Sequence, residues 1–256
     1  MKINPLLILV FLKIVVFTEA KGQLHYRFKD LPCLNKTFNI DVHIVMDSLR
    51  TKSFSRQDII NGFSDANNKF SEICVNFVPC KIDTIYDYAF DSIWTNQEYE
   101  LLSTLYSSPN KINLFIITDI ALNFNNRPQA ICGLGGKTVY IGNGCFGSLA
   151  HEFGHTFGLA HTFLGSGEEL VDGSNCETAG DGICDTPADP YEIFEPLGKY
   201  IKNCEFISEK KDKNNMYYTP HVANIMSYYD CPCSHFSRGQ FLKMVDVINT
   251  IYKFYY

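Results

Sequence analysis

The sequence lacks the features that mark several common classes of binding protein. No run of basic residues is longer than Lys210-Lys211, and the 256-residue chain carries a formal net charge of −6, so the electrostatic footprint of a nucleic-acid-binding protein is missing. The glycine-rich stretch at 133–136 ends in Gly136-Lys137-Thr138, but the first glycine of a phosphate-binding loop would fall at Ile131, so the spacing excludes such a loop. Cys231-Pro232-Cys233 has no Cys-x-x-Cys partner elsewhere, which disfavours a four-cysteine metal site.

The first twenty residues do not have the length of apolar chain that a membrane anchor requires. A spanning helix needs about 20 apolar residues, whereas the apolar run from Leu6 to Phe17 is interrupted by Lys13. With Lys2 before it and Thr18-Glu19-Ala20 after it, this run is typical of a secretion signal. Residues 1–20 are therefore predicted to be a signal peptide, and the protein is expected to be secreted without a stable membrane anchor.

The cysteine count indicates an oxidising compartment. All ten cysteines follow the predicted signal peptide, and an even number in that context favours disulfides. They lie at positions 33, 74, 80, 132, 145, 176, 184, 204, 231 and 233. Cys132 and Cys145 flank a predicted hairpin and could be bridged to each other.

The stretch from His151 to His161 carries the strongest indication of function, and it reads H-E-x-x-H-x-x-G-x-x-H. On a helix, His151 and His155 lie one turn apart on the same face and can reach one metal ion. Glu152 beside them can take a proton from a metal-bound water. Gly158 suits a left-handed residue that ends the helix, so that the chain can turn back and deliver His161 as a third ligand. Three protein ligands and an open fourth position are typical of a catalytic zinc site.

Periodicity predicts one domain of the mixed α+β class around this motif. The predicted strands are 38–45, 74–80 (ended by Pro79), 112–117, 130–136 and 137–141. The predicted helices run from a Ser53 or Ser55 cap to about 73, over 98–106, from about 147 to 159, and from 236 towards the end. No linker or repeat separates a second domain, so residues 21–36 are predicted to be a short N-terminal segment and residues 37–256 the catalytic domain.

The stretch from 165 to 220 has little periodicity, and a loop of this length is uncommon in a compact domain unless something clamps it. Disulfides would do so. Between residues 168 and 195 there are nine carboxylates and no Lys or Arg, so calcium could bind through Asp181, Asp185 and Thr186. A solvated acidic loop explains the same composition equally well, and the spacing of an EF-hand is absent.

Residues outside the histidine motif carry a resemblance to a known family. Asn224-Ile225-Met226-Ser227-Tyr228 resembles the methionine turn of the metzincin metallopeptidases, which lies beneath their three zinc-binding histidines. Further stretches are similar to the pappalysin branch of that superfamily, which includes ulilysin. They are His161-Thr162-Phe163, Gly180-Asp181, Asp185-Thr186-Pro187 and Phe236-Ser237-Arg238-Gly239-Gln240. The resemblance is strong from about Ser148 to Met244 and is limited to the order of strands and helices before that.

This resemblance implies a zincin/metzincin fold with a mixed twisted sheet and long helices in the N-terminal part. The C-terminal part would be irregular, clamped by disulfides, and would end in a helix. The implied residue roles are zinc binding by His151, His155 and His161, general base and acid catalysis by Glu152, and a structural turn at Met226. Tyr228 matches a tyrosine that in several metzincins contacts zinc or the reacting carbonyl. Members of this branch also bind calcium in the loop before Asp-Thr-Pro.

The resemblance also suggests cysteine pairs and a specificity residue. Cys176 would pair with Cys204, and Cys184 with Cys231 or Cys233. Asp230 lies in the segment that forms the wall of the primed-side pocket in relatives, where it could favour a basic residue after the cut. A surface-facing Asp230 is an equal alternative. Cys33 could in principle bind the zinc as a thiolate and keep the enzyme latent, but a disulfide is the commoner fate of a secreted cysteine and is favoured.

The expected function is that of a secreted, monomeric, zinc-dependent endopeptidase that hydrolyses internal bonds of a protein or peptide substrate through a zinc-activated water. One alternative is a catalytically silent, secreted, zinc-containing binding module, which the intact Glu152 disfavours. Another is a zinc hydrolase of a different bond, which the turn from Met226 to Tyr228 disfavours.

Overall fold

The computed structural model describes residues 30–46, 54–124, 127–131, 133–134 and 136–255. The predicted signal peptide and Cys132 lie outside these ranges, and so does the suggested bridge between Cys132 and Cys145. None of the helices in the described ranges combines the length and apolarity needed to cross a bilayer.

Strands and helices alternate in the first half of the described chain, and irregular structure dominates from the end of the third helix to the start of the fourth. The strands are β1 (Lys36–Val45), β2 (Val75–Ile85), β3 (Ser92–Ile93), β4 (Ile112–Ile117), β5 (Asp119–Phe124), β6 (Arg127–Ile131), β7 (Gly133–Leu134), β8 (Thr138–Gly142), β9 (Ile201–Lys202) and β10 (Glu205–Phe206). The helices are α1 (Arg56–Phe70), α2 (Asn96–Tyr106), α3 (Leu149–Thr156) and α4 (Arg238–Thr250).

A five-stranded mixed sheet organises the domain in the order β2-β1-β4-β8-β7. The pairs from β2 to β8 are parallel, and β7 runs antiparallel to β8 at one edge. All six residues of the central strand β4 are buried. Its Leu114 belongs to the core cluster that contains α1 and α3, and its Phe115 belongs to the cluster that contains α2. Helices therefore cover both faces of the sheet, which confirms the α+β prediction and explains why β4 is apolar at every position except Asn113.

Hydrogen-bonded caps start three of the four helices. Ser55, Thr95 and Ser237 each accept a hydrogen bond from the backbone N–H three residues later, and the side chain at that later position bonds back to the cap. Of the two serines considered for the start of α1, Ser55 is the cap. These local bonds fix where the chain enters each helix.

The second strand is longer than its sequence suggests. It does not end at Pro79 but continues to Ile85, and the register shifts between Ile40 and Asp41 so that Cys80 is left out of the pairing. β2 is an edge strand, where the missing N–H of a proline costs no ladder bond and a bulge is tolerated. The helix α3 is shorter than predicted at both ends, because residues 146–148 form a tighter 3₁₀ turn before it and the helix ends at Thr156, just before the left-handed Gly158.

The disulfide pattern differs from the one that the family resemblance suggested. Cys176 is bonded to Cys184, not to Cys204, because tight turns within this segment bring the two Cα atoms to 5.0 Å. Gly180 (φ +62°) and Gly182 (φ +71°) supply the left-handed backbone of those turns.

The two remaining described pairs involve more distant parts of the chain. Cys204 is bonded to Cys231, with their Cα atoms 5.7 Å apart, which leaves Cys233 as an exposed free thiol. Cys33 is bonded to Cys74, as favoured over a latency role.

Candidate metal centre

The histidine motif lies on α3 and on the turn that follows it. The inward side of α3 carries Phe153, whose ring stacks on Phe77 of β2 at a centroid distance of 4.1 Å. This packing fixes the rotation of the helix and leaves His151 and His155 on the opposite, half-buried side. The sheet thus determines where the first two histidines point.

A left-handed glycine ends the helix and returns the chain to the site, as predicted. Gly158 has φ +85°, and the N–H of Leu159 donates to the carbonyl of Gly154 at 3.0 Å. The chain then reverses, so that His161 lies beside the two helical histidines.

The three histidines converge on one point. Their Nε2 atoms form a triangle in which each side measures 3.1 Å. Ligands bound at about 2.0–2.1 Å to one zinc ion at tetrahedral angles lie about 3.3–3.4 Å from each other, so the triangle fits such an ion closely. Among the described residues this is the one group of three or more His, Cys, Asp or Glu side chains that could share a metal ion.

Backbone carbonyls set the tautomers of the two helical histidines. Nδ1 of His151 donates to the carbonyl of Ile225 at 2.7 Å, and Nδ1 of His155 donates to the carbonyl of Leu159 at 2.8 Å. A carbonyl can only accept, so the proton of each neutral ring lies on Nδ1 and Nε2 keeps its lone pair. Burial lowers the pKa of His155, and it lowers that of His151 to about 4 and that of His161 to about 2, with further lowering from the neighbouring histidines. Neutral imidazoles are the form that binds a metal.

Met226 lies directly beneath the metal-binding helix. It is fully buried, and a Cβ placed on Gly154 would lie 2.6 Å from its Sδ atom. The same turn supplies the Ile225 carbonyl that holds His151. The methionine turn that the sequence indicates is therefore in contact with both the backbone and a side chain of α3.

Glu152 is buried next to the histidines in a site made by a glycine. Its side chain is 3% exposed, and burial raises its pKa to about 8. Oε2 has no hydrogen-bond partner in the described part of the chain. A Cβ on Gly133 would lie 2.5 Å from the Cδ atom of Glu152, so the edge strand β7 approaches the carboxylate as closely as a backbone can. The sequence gives no indication of this role for Gly133 beyond the glycine itself.

Tyr228 belongs to an aromatic group beside the third histidine. Its ring centroid lies 4.6 Å from that of His161 and 5.8 Å from that of His151. Burial, with a smaller contribution from Glu152, raises the pKa of Tyr228 to about 12. The hydroxyl is therefore protonated at neutral pH and can donate a hydrogen bond.

The acidic loop brings some of the suggested calcium residues together and directs another elsewhere. Thr186 Oγ1 donates to the carboxylate of Asp181 at 2.8 Å. The carboxylate of Asp185 instead accepts from Ser237 Oγ at 2.6 Å and from the N–H of Gly239 at 2.7 Å, at the start of α4. Glu169 is one of the nine carboxylates of this loop, and the sequence does not distinguish it from the others. It is buried, and burial together with repulsion from Asp181 raises its pKa to about 7.

Asp230, the suggested specificity residue, is exposed and has a left-handed backbone with φ +49°. Asp189, near the site, was not singled out from the sequence, and Thr162 was named there only as part of the resemblance carried by His161-Thr162-Phe163. Asp189 and Thr162 are both buried and hydrogen-bonded to each other at 2.8 Å. Asp189 belongs to no motif, and only the folded chain brings the two residues together across 27 positions.

One protein-family model matches the part of the chain that contains this site. The peptidase M43 family model, described as "Pregnancy-associated plasma protein-A", matches residues 140–249, which include every residue of the histidine motif, Met226 and Tyr228. An "Extracellular metalloprotease" from Colletotrichum graminicola is 35% identical over 98 residues, which are 38% of this chain and 29% of that protein. The chain thus spans less than a third of the length of this curated relative.

The chain also aligns with solved structures of other proteins. Metalloproteinase-II from Bacteroides fragilis aligns at 11% identity and a TM-score of 0.39, over 85% of this chain and 55% of that chain. A likeness of this size carries no further argument. The family match and the curated relative confirm the resemblance to the pappalysin-type metzincins that the sequence motifs indicate.

Proposed function

We propose that this pappalysin-type chain is a secreted zinc-dependent endopeptidase. The observation that carries the proposal is the triangle of three Nε2 atoms at 3.1 Å with the buried Glu152 beside it. Secretion is supported by the disulfides and by the name of the curated relative, an extracellular metalloprotease.

His151, His155 and His161 would hold the zinc ion. When bound, zinc supplies a Lewis acid and lowers the pKa of a coordinated water to about 7. The donor set supports zinc, because three neutral imidazoles and a position open to solvent-derived ligands are typical of its catalytic sites. The carbonyls of Ile225 and Leu159 would keep two of the rings oriented and increase their basicity.

Glu152 would act as the general base and then as the general acid. A neighbouring cation favours the carboxylate form and opposes the rise in pKa that burial causes. The unpartnered Oε2 would accept a proton from the attacking water and later give it to the departing amine. The absence of a competing hydrogen-bond donor to this oxygen in the described ranges supports that role.

Tyr228 would stabilise the oxyanion of the reacting carbonyl. Its phenol is protonated at neutral pH and lies against two of the metal-binding rings. A hydrogen bond that forms only as negative charge develops lowers the barrier without tightening substrate binding. We therefore expect Tyr228→Phe to lower kcat with little change in KM.

Calcium would bind in the acidic loop rather than at the histidines. Asp181 and Thr186 remain in the proposed site, Glu169 joins them, and Asp185 contributes to the start of α4 instead. Two buried carboxylates whose charges repel each other are stabilised by a cation between them. Thermal unfolding in metal-depleted buffer with added calcium tests this, and a Tm that calcium raises in the wild type but not in Glu169→Gln supports the site.

The substrate would be a protein or peptide, and Asp230 would favour Arg or Lys after the cleaved bond. The exposure of Asp230 supports access by a basic side chain. Cleavage-site profiling of the wild type and of Asp230→Ala compares the residue found after the cut. Equal enrichment in both proteins, or none in either, would contradict this part of the proposal.

The function itself is tested with Glu152→Ala on casein and on a quenched peptide library. The variant should bind one zinc ion, keep its fold and lose hydrolysis, and 1,10-phenanthroline should inhibit the wild type. Full activity in the variant, or indifference of the wild type to the chelator, would contradict the assignment. Stoichiometric zinc with no turnover of any substrate would favour the silent binding module.

A further inference from the structure

The third histidine lacks the kind of hydrogen bond that orients the other two. His151 and His155 donate from Nδ1 to backbone carbonyls, whereas within the described chain His161 has no such acceptor and its ring stacks on Phe163 at 4.8 Å. Stacking fixes the plane of a ring but allows it to slide. The position of His161 therefore depends on how the backbone after it is held.

Thr162 holds that backbone from two sides. Its N–H donates to the carbonyl of Met226 at 3.2 Å, and its Oγ1 donates to Oδ2 of Asp189 at 2.8 Å. Both groups are buried, so water does not replace either bond readily. Asp189 thus restrains Thr162, the residue that follows His161 in the chain.

The other carboxylate oxygen of Asp189 is hydrogen-bonded to the residue that directly follows the methionine turn. Oδ1 accepts a hydrogen bond from the hydroxyl of Tyr229 at 2.7 Å and another from the N–H of Tyr191 at 3.1 Å. Tyr229 is 1% exposed and directly follows Tyr228. One carboxylate therefore connects the segment after His161, the segment after Met226 and the acidic loop.

Burying the carboxylate of Asp189 lowers the stability of the folded protein. Asp189 is 4% exposed, and burial raises its pKa, although its three hydrogen bonds oppose that rise. The partners are two hydroxyls and one amide, all of them neutral, so no ion pair with them compensates for the loss of water. A neutral residue would fill the same space more cheaply, which indicates that the acceptor oxygens matter.

We propose that Asp189 is a positioning residue for the metal centre, which places His161 through Thr162 and Tyr228 through Tyr229. The link from Asp189 through Thr162 to His161, the zinc-binding arm, rests on the fit of the three histidines to a zinc ion. The link from Asp189 through Tyr229 to Tyr228, the Tyr228 arm, rests on the proposed peptidase function. The two arms predict different measurable losses, because one concerns metal binding and the other concerns the reaction.

Single substitutions separate the arms. Thr162→Val removes the hydroxyl with little change in shape and should weaken zinc binding by about 10–100-fold, measured by chelator competition without substrate. Tyr229→Phe should leave zinc affinity unchanged and lower kcat more than it raises KM. Asp189→Leu should do both, while Asp189→Asn should recover much of each loss because its Oδ1 still accepts and its amide can donate to a hydroxyl.

Thr156→Val is a matched control for the loss of a buried hydroxyl. Thr156 is 4% exposed, and its Oγ1 donates only to the carbonyl of Glu152 within α3. We expect it to lower the Tm without the change in zinc affinity that Thr162→Val causes. In the double variant Thr162→Val/Asp189→Leu, zinc affinity should be no lower than in Asp189→Leu, since both remove the same bond.

Several outcomes would overturn the inference. Thr162→Val with the zinc affinity of the wild type does so, and so does a folded Asp189→Leu that binds zinc and cleaves peptides normally. If Asp189→Leu does not fold, Thr162→Val and Asp189→Asn decide the matter. If the wild type cleaves no peptide, the proposed function fails, but zinc competition still tests the arm through His161.

Discussion

Gly133 of the edge strand β7 lies against the carboxylate of Glu152. A Cβ at this position would come within 2.5 Å of Cδ and 2.7 Å of Cγ, distances at which one of the two residues must move. The strand is hydrogen-bonded to β8, with Gly133 opposite Ile141, so its backbone is held in place. The glycine thus determines where the proposed general base can lie.

We expect Gly133→Ala to lower kcat by roughly 10–100-fold, because a shift of about 1 Å in a catalytic group is sufficient for such a loss. Zinc affinity should stay close to that of the wild type, since the histidines are not displaced. Gly136→Ala is the matched control, because the nearest atom to its Cβ lies at 3.8 Å, an ordinary contact. Equal activity in the two variants would show that Glu152 adjusts freely.

Gly154 lets Met226 pack beneath the metal-binding helix, and a methyl group there has no space. A Cβ would lie 2.6 Å from Sδ of a residue that is fully buried. We expect Gly154→Ala to lower the free energy of unfolding by about 1–3 kcal/mol through overpacking. Thermal or urea unfolding measures this, with Gly147→Ala as the control because no atom lies within 4 Å of its Cβ.

The bond between Cys204 and Cys231 clamps the irregular C-terminal part. Replacing both cysteines by alanine should lower the free energy of unfolding by about 2–4 kcal/mol, a typical value for a native disulfide. Cys233→Ala removes a free, exposed thiol two positions away and should leave the Tm unchanged. Peptide mapping under non-reducing conditions provides a direct check, and a bond to Cys233 instead of Cys231 would contradict the pattern.

Glu169 should make stability depend on pH in the absence of calcium. Burial, followed by Asp181 and Asp189, raises its pKa from 4.5 in the unfolded chain to about 7 in the folded protein. The folded state then binds the proton more tightly, so its contribution to stability is complete below about pH 4.5 and is lost as the pH rises through about 7.

Glu169→Gln, which is neutral at every pH, should therefore be more stable than the wild type at pH 8 and equal to it at pH 4.5. Unfolding in metal-depleted buffer at several pH values measures the difference. Glu168→Gln removes an exposed charge one position away and is the matched control. A difference between Glu169→Gln and the wild type that does not change with pH would contradict the assignment.

Local rules account for the parts of the fold and site that were predicted correctly. The spacing of His151 and His155 places them one helical turn apart in any helix, and Gly158 adopts φ +85° because a residue without a Cβ enters that region at little cost. Ser55 starts α1 through a bond to a residue only three positions away. The predicted strand 112–117 is β4, with the bounds that its apolar residues indicate, and all six of its residues are buried.

Predictions that depended on distant neighbours were less accurate. The strand β2 passes through Pro79 because it lies at the edge of the sheet, which the sequence of the strand does not encode. The pairing of Cys176 with Cys184 follows from turns at Gly180 and Gly182 rather than from the pattern in a related family. Several cysteine pairings satisfy the same spacing, so the folded backbone selects among them.

The sequence by itself determined the proposed metal ligands, the proposed base and the proposed methionine turn, because these assignments depend on residue type and on spacing within one helix and two turns. Only the tertiary structure decided that Gly133 limits the position of Glu152, that Asp185 accepts a hydrogen bond from the first turn of α4, and that Asp189 connects Thr162 to Tyr229. Those relationships join residues that are 19 to 54 positions apart, at distances set by the packing of the sheet and the clamped loop rather than by any local propensity.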